Sequence, residues 1–120
     1  APVNSLYGLH EALVALKEEG LENSWKRHLD NHLILRDGLE KLGIDFLVDE
    51  QDRLPQLNAI YIPEGVEDLK SRQKLLNDFN LEIGAGLGVL AGKVWRIGLM
   101  GSSSNKNNIE YCLSSLQKVI

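Results

Sequence analysis

The sequence predicts an α+β fold: a small, mainly antiparallel sheet covered on one face by helices and preceded by a long helix. Three observations predict it. Apolar residues recur every three or four positions through the first third of the chain and then every second position. The alternating runs arrive in pairs between helical stretches, which favours helices layered on a sheet. The final stretch returns to helical spacing with one apolar face.

The elements follow in order. Ser5 to Glu19 is helical, with Leu6, Leu9, Leu13 and Leu16 in register; Asn4 or Ser5 can cap it and Gly20 stops it. A second helix runs from about Leu21 to Leu42, its apolar face marked by Leu21, Trp25, Leu29, Leu33 (or Ile34), Leu39 and Leu42, and Gly43 ends it. Ile44 to Val48 and Leu57 to Ile62 alternate as strands, the latter closed by Pro63-Glu64-Gly65. Asp68 to Asn80 reads as a helix with Leu69, Leu76 and Phe79 inward, and Leu81 to Ile83 as a short strand. Lys93 to Met100 is the clearest strand, and Asn105 to Ile120 an amphipathic helix presenting Ile109, Cys112, Leu113, Leu116 and Ile120 on one side. The sharpest boundary lies at Gly20-Leu21, so residues 1–20 and 21–120 are expected to be separate packing units.

Composition bounds the function. The chain has 120 residues, enough for one hydrophobic core, with 43% hydrophobic and 25% charged residues. A net charge of −4 gives no electrostatic case for nucleic acid or an anionic membrane as partner. No apolar run approaches the roughly 20 residues of a membrane span. One cysteine, Cys112, excludes an internal disulfide and suggests a reducing, intracellular compartment. The opening APVNSLYGL, without an initiator methionine, leads us to expect a piece of a longer chain.

The stretch EIGAGLGVLAGKVWRIGLMG, from Glu82 to Gly101, carries the chemistry. Gly86, Gly88 and Ala91 match the loose G-x-G-x-x-A pattern of nucleotide-binding loops. Such a loop must lead into a helix N-terminus to meet a pyrophosphate, and here a strand follows. A P-loop would need glycine and Ser or Thr where Leu87 and Val94 stand. Arg96 is the better candidate. Alternation sends Trp95, Ile97 and Leu99 to the core and Val94, Arg96, Gly98 and Met100 to the other face. A guanidinium on a rigid strand beside a bare glycine suits two-pronged capture of a carboxylate. A plain surface arginine fits the same pattern.

His28 and His32 stand one helical turn apart, as on a zinc-protease helix, but Leu29 occupies the place of the catalytic glutamate and no third ligand is near. They are expected on a solvated face, with no metal site. Cys112 has no activating base and reads as core.

With these residues in place, the same glycine stretch resembles the C-terminal signature of class V pyridoxal-phosphate aminotransferases, within them the alanine–glyoxylate and serine–pyruvate (serine–glyoxylate) group. APVNSLYGLHEAL, EEGLENSWKRH, RLPQL and IPEGV are similar in the same order. The resemblance implies that residues 1–20 form a helix linking to an absent large domain and that 21–120 form the C-terminal small domain. It implies that Arg96 binds the substrate α-carboxylate and that the glycine loop is a wall of that pocket. It further implies pyridoxal 5'-phosphate as cofactor, small amino acids and 2-oxo acids as substrates, a homodimer, and a cytoplasmic or peroxisomal setting.

The family is much longer. Its Schiff-base lysine, the aspartate on the pyridine nitrogen and most phosphate ligands lie in the large domain. None of the lysines here falls in a cofactor-lysine motif, so no catalytic or cofactor-binding residue is expected in this chain, and alone it should bind no cofactor and not transaminate. The alternative is a self-contained, non-catalytic binding or assembly module that keeps the fold.

Overall fold

The computed structural model describes all residues, 1–120. Four helices and three strands follow in the order α1 (Val3–Glu19), α2 (Leu21–Lys41), β1 (Leu57–Tyr61), α3 (Asp68–Phe79), β2 (Gly84–Ala85), β3 (Val94–Gly98) and α4 (Lys106–Leu116). The α+β reading holds. The strands lie in the order β1-β3-β2 and both pairings are antiparallel. No helix is long and apolar enough to cross a membrane.

The core side of the sheet is set by alternation on β3. Trp95, Ile97 and Leu99 are buried, as are Ile60 and Asn58, which pair with Trp95 and Ile97. Helices supply Leu35 and Leu39 from α2, Leu75 from α3, and Ile109, Cys112 and Leu116 from α4. Where α2 crosses α4, the Leu113 side chain packs directly over Gly38: a Cβ there would sit 2.2 Å from a methyl of Leu113. Asn105 caps α4, its side-chain oxygen accepting from the Asn108 N–H at 2.9 Å. Asn80 ends α3 in the left-handed region, which asparagine tolerates.

Several sequence expectations shift. Ile44–Val48 does not form a full strand; it meets β1 through a single bridge between Phe46 and Ile60. Two backbone hydrogen bonds flank that bridge, Leu47 N–H to Ala59 and Tyr61 N–H to Asp45. The short strand expected at Leu81–Ile83 falls at Gly84–Ala85, because pairing with Arg96 and Trp95 sets its place. On α3 the inward residues are Ser71 and Leu75; Leu69 and Leu76 are exposed, and Phe79 is half-buried.

The largest correction concerns α2. Leu21, Trp25 and Leu29 are exposed, Trp25 at 59%. The buried stripe is Ser24, His28, Asn31, His32, Leu35 and Leu39: Leu39 is buried as expected, with Ile34 and Leu42 packed against the core, but over the first half the stripe is displaced by one residue, about 100° around the helix. Its first half is polar because it faces the turn at Gly101–Ser104, whose backbone groups need partners. Helix α1 buries no residue at all, and Leu6, Leu9 and Leu13 are exposed.

Candidate functional site

Arg96 lies in the middle of β3, between Gly84 of β2 and Ala59 of β1 in register, with Gly98 two positions on. These neighbours share the sheet face opposite the core, and all have small side chains or none. The guanidinium therefore rises from an open floor. Its Nε donates to the Ala85 carbonyl at 2.8 Å. Neither terminal nitrogen meets an acceptor or a carboxylate of the chain. Arg27, Arg36 and Arg72 are all paired with acids, and Arg53 stacks 4.2 Å from the centroid of Phe46. Held by one edge with its fork free, Arg96 has the geometry to accept a carboxylate in two parallel hydrogen bonds.

The glycine stretch builds one side of this face. From Gly86 the chain turns back through a single helical turn at Gly88–Leu90 and enters β3 directly, so no helix N-terminus faces a phosphate here. Gly88 and Gly92 have φ of +55° and +73°, a conformation that favours glycine. Val94, expected on the open face with Arg96, is instead buried, because this loop folds over it.

The histidines are not solvated. His28 Nδ1–H donates to the Ser24 carbonyl at 2.7 Å, and its Nε2 accepts from the Gly101 N–H at 3.0 Å. His32 Nδ1–H donates to the Asn58 side-chain oxygen at 2.7 Å. Asn58 in turn donates to the carbonyls of Pro55 and Ile97, at 3.3 and 3.4 Å. With them, Asn31 donates to the Ser104 carbonyl at 2.8 Å, and Arg27 reaches the carbonyls of Gly101 and Ser104 as well as Glu19. The set ties α2 to the turn that follows β3. Sequence reasoning missed it; the signal was the shared stripe of 24, 28, 31, 32 and 35.

Asp68 accepts from the Trp95 indole at 2.9 Å and from Arg72 at 2.7 Å. The Arg72 guanidinium, aided by that indole, holds the Asp68 carboxyl below its ordinary value against the opposing effect of burial. Burial pushes the Cys112 thiol up to about 11. The largest cleft, about 650 Å³, lies between α1, α2 and the 101–102 turn, lined by Leu16, Glu19, Arg27 and His28 among others. Arg96 lines none of the larger clefts. It stands on the open face of the sheet, beside Gly84, Ala59 and Gly98. The lysines are all exposed.

Known proteins of similar sequence and fold are aminotransferases. No protein-family model matches the chain. It is 36% identical over 115 residues to the (S)-ureidoglycine–glyoxylate transaminase of Bacillus subtilis, covering 96% of this chain and 28% of that protein. It is 38% identical over 120 residues to the alanine–glyoxylate aminotransferase of Callithrix jacchus, covering 99% of this chain and 29% of that one. The crystal structure of the alanine–glyoxylate aminotransferase from Nostoc sp. superposes with a TM-score of 0.95 at 44% identity, over 99% of this chain and 32% of that structure. Over nearly its whole length the chain is thus similar to a domain-sized part of the alanine–glyoxylate and ureidoglycine–glyoxylate aminotransferases. It spans under a third of the length of these relatives.

Proposed function

We propose that these residues are the small domain of a pyridoxal 5'-phosphate-dependent aminotransferase that passes an amino group from alanine or serine to glyoxylate or pyruvate. The observation that carries the reading is Arg96: Nε is anchored on Ala85, and the two terminal nitrogens are free above a floor of Gly84, Ala59 and Gly98. Both the amino acid and the 2-oxo acid bring a carboxylate, and one arginine serves each in turn. Ground-state binding by such a charge-assisted pair contributes about 1.5–3 kcal/mol.

Residues 1–20 act as the linking helix. Val3, Leu6, Leu9 and Leu13 lie exposed along α1, and burial against a larger domain accounts for that apolar face. The cofactor does not fit these residues alone. Every lysine is exposed, Lys70 and Lys74 along an open surface cleft of about 350 Å³, and on this reading covalent attachment of the cofactor and pairing into a homodimer are assigned to the rest of a longer protein. What Arg96 supplies is binding and orientation of the substrate.

The test is Arg96→Lys in the full-length protein. Lysine keeps the charge but loses the fork, so KM for the amino acid rises at least about tenfold. An unchanged KM would sink the carboxylate role. The alternative is a free-standing, non-catalytic binding or assembly module that keeps the fold. The intact mass of the natural polypeptide separates the two: near 13.4 kDa supports the module, and a much larger mass the enzyme.

A further inference from the structure

We infer that the segment Gly84-Ala85-Gly86 is the positioning element for Arg96, with Gly86 as its fixing point. The inference rests on the carboxylate role proposed for Arg96 and adds what holds that arginine ready. A Cβ on Gly86 would lie 2.1 Å from the Leu90 carbonyl oxygen and 2.7 Å from its carbon. Both are backbone atoms and cannot swing aside. Leu90 is itself fixed, its carbonyl accepting from the Lys93 N–H at 3.0 Å just before β3 begins. Gly86 N–H donates to the Val94 carbonyl at 3.0 Å. The absent side chain thus lets the returning loop lie directly on Gly86 and hold β2 against β3.

The consequence for Arg96 is direct. With β2 in this place, the Ala85 carbonyl receives Nε at 2.8 Å and fixes the plane of the guanidinium. Gly84 lies at its edge, where a Cβ would come into contact with Nη2 at 3.4 Å and a larger side chain would reach into the guanidinium. Ala85 supplies the acceptor, and Gly86 locks it in register. An arginine free to rotate would lose part of its fork alignment with a carboxylate, and misplacement by about 1 Å can cost up to about a hundredfold.

The experiment uses the full-length protein and propionate, which offers a carboxylate and no amino group, as a competitive inhibitor against alanine. For Gly86→Ala, the inhibition constant of propionate and the KM of alanine are expected to rise together, tenfold or more, with kcat falling by less. A merely structural role would lower kcat with little change in the propionate constant, and that result overturns the inference. Should Gly86→Ala fail to fold, Gly84→Val decides: its side chain begins 3.4 Å from Nη2 and its γ-methyls extend into the guanidinium, so a several-fold rise in the propionate constant, larger than any fall in kcat, is expected. No rise in a folded Gly84→Val protein overturns the inference. Arg96→Lys is measured in parallel. If it leaves the propionate constant unchanged, the carboxylate role itself is wrong; if it raises the constant while the glycine variants do not, only the positioning role fails.

Discussion

Asn58 offers the sharpest test of how the sheet is held. Its side chain is 1% exposed and joins three elements: it accepts from His32 on α2, and donates to the carbonyls of Pro55 before β1 and Ile97 on β3. The direction of the His32 bond follows from the network, since the amide nitrogen of Asn58 is already donating. Replacing Asn58 with Ala strands the His32 Nδ1–H in an apolar setting beside Phe46, whose ring lies 5.9 Å away edge-on. A stranded buried donor costs about 1–3 kcal/mol, and the lost side-chain volume adds to it, so the loss should be about 2–4 kcal/mol. The two donor bonds at 3.3 and 3.4 Å are long and contribute the smaller share. Urea unfolding followed by the emission of Trp95, which is fully buried, measures the change. The double variant His32→Leu/Asn58→Leu removes both partners and should recover at least about 1 kcal/mol relative to the sum of the singles. A single-variant loss under about 0.5 kcal/mol, or strict additivity in the double, refutes the argument, because either outcome means the pair is not coupled.

Three further outcomes are expected. Asp68 has a depressed carboxyl, so its ionised form stabilises the fold; that contribution is complete above the ordinary value of 3.8 and is lost as pH falls from there through the folded value. Asp68→Asn should flatten the acid limb of a stability–pH profile below about pH 4 while leaving the neutral region's slope unchanged. Gly38→Ala puts a methyl 2.2 Å from Leu113 and should cost about 1–3 kcal/mol by overpacking α2 on α4; Leu113→Ala in the same chain should restore part of it, as thermal unfolding will show. Cys112, buried and pushed to about 11, should react with a thiol reagent at pH 8 only as fast as the protein unfolds, so rapid labelling of the folded protein would contradict its placement.

The sequence by itself determined the fold class, all four helices and the central strand, because those features are written in local periodicity that neighbours do not alter. It also determined that Arg96 faces away from the core, since a two-residue period admits only two faces and Trp95, Ile97 and Leu99 occupy one. The unsuitability of the glycine loop for phosphate was legible for the same reason: a strand follows it. Tertiary structure decided the rest. Which stripe of α2 turns inward depends on what it meets, and a turn rich in unpaired backbone groups selects His28, Asn31 and His32 over the apolar Leu21, Trp25 and Leu29. The extent of Ile44–Val48 as a strand depends on its neighbour β1, which pairs with it only around Phe46. Likewise, no local pattern could announce that the Ala85 carbonyl anchors Nε or that Leu90 rests on Gly86, for both contacts are made by chain that returns across space. The sequence names the arginine; the returning loop decides which way its fork points.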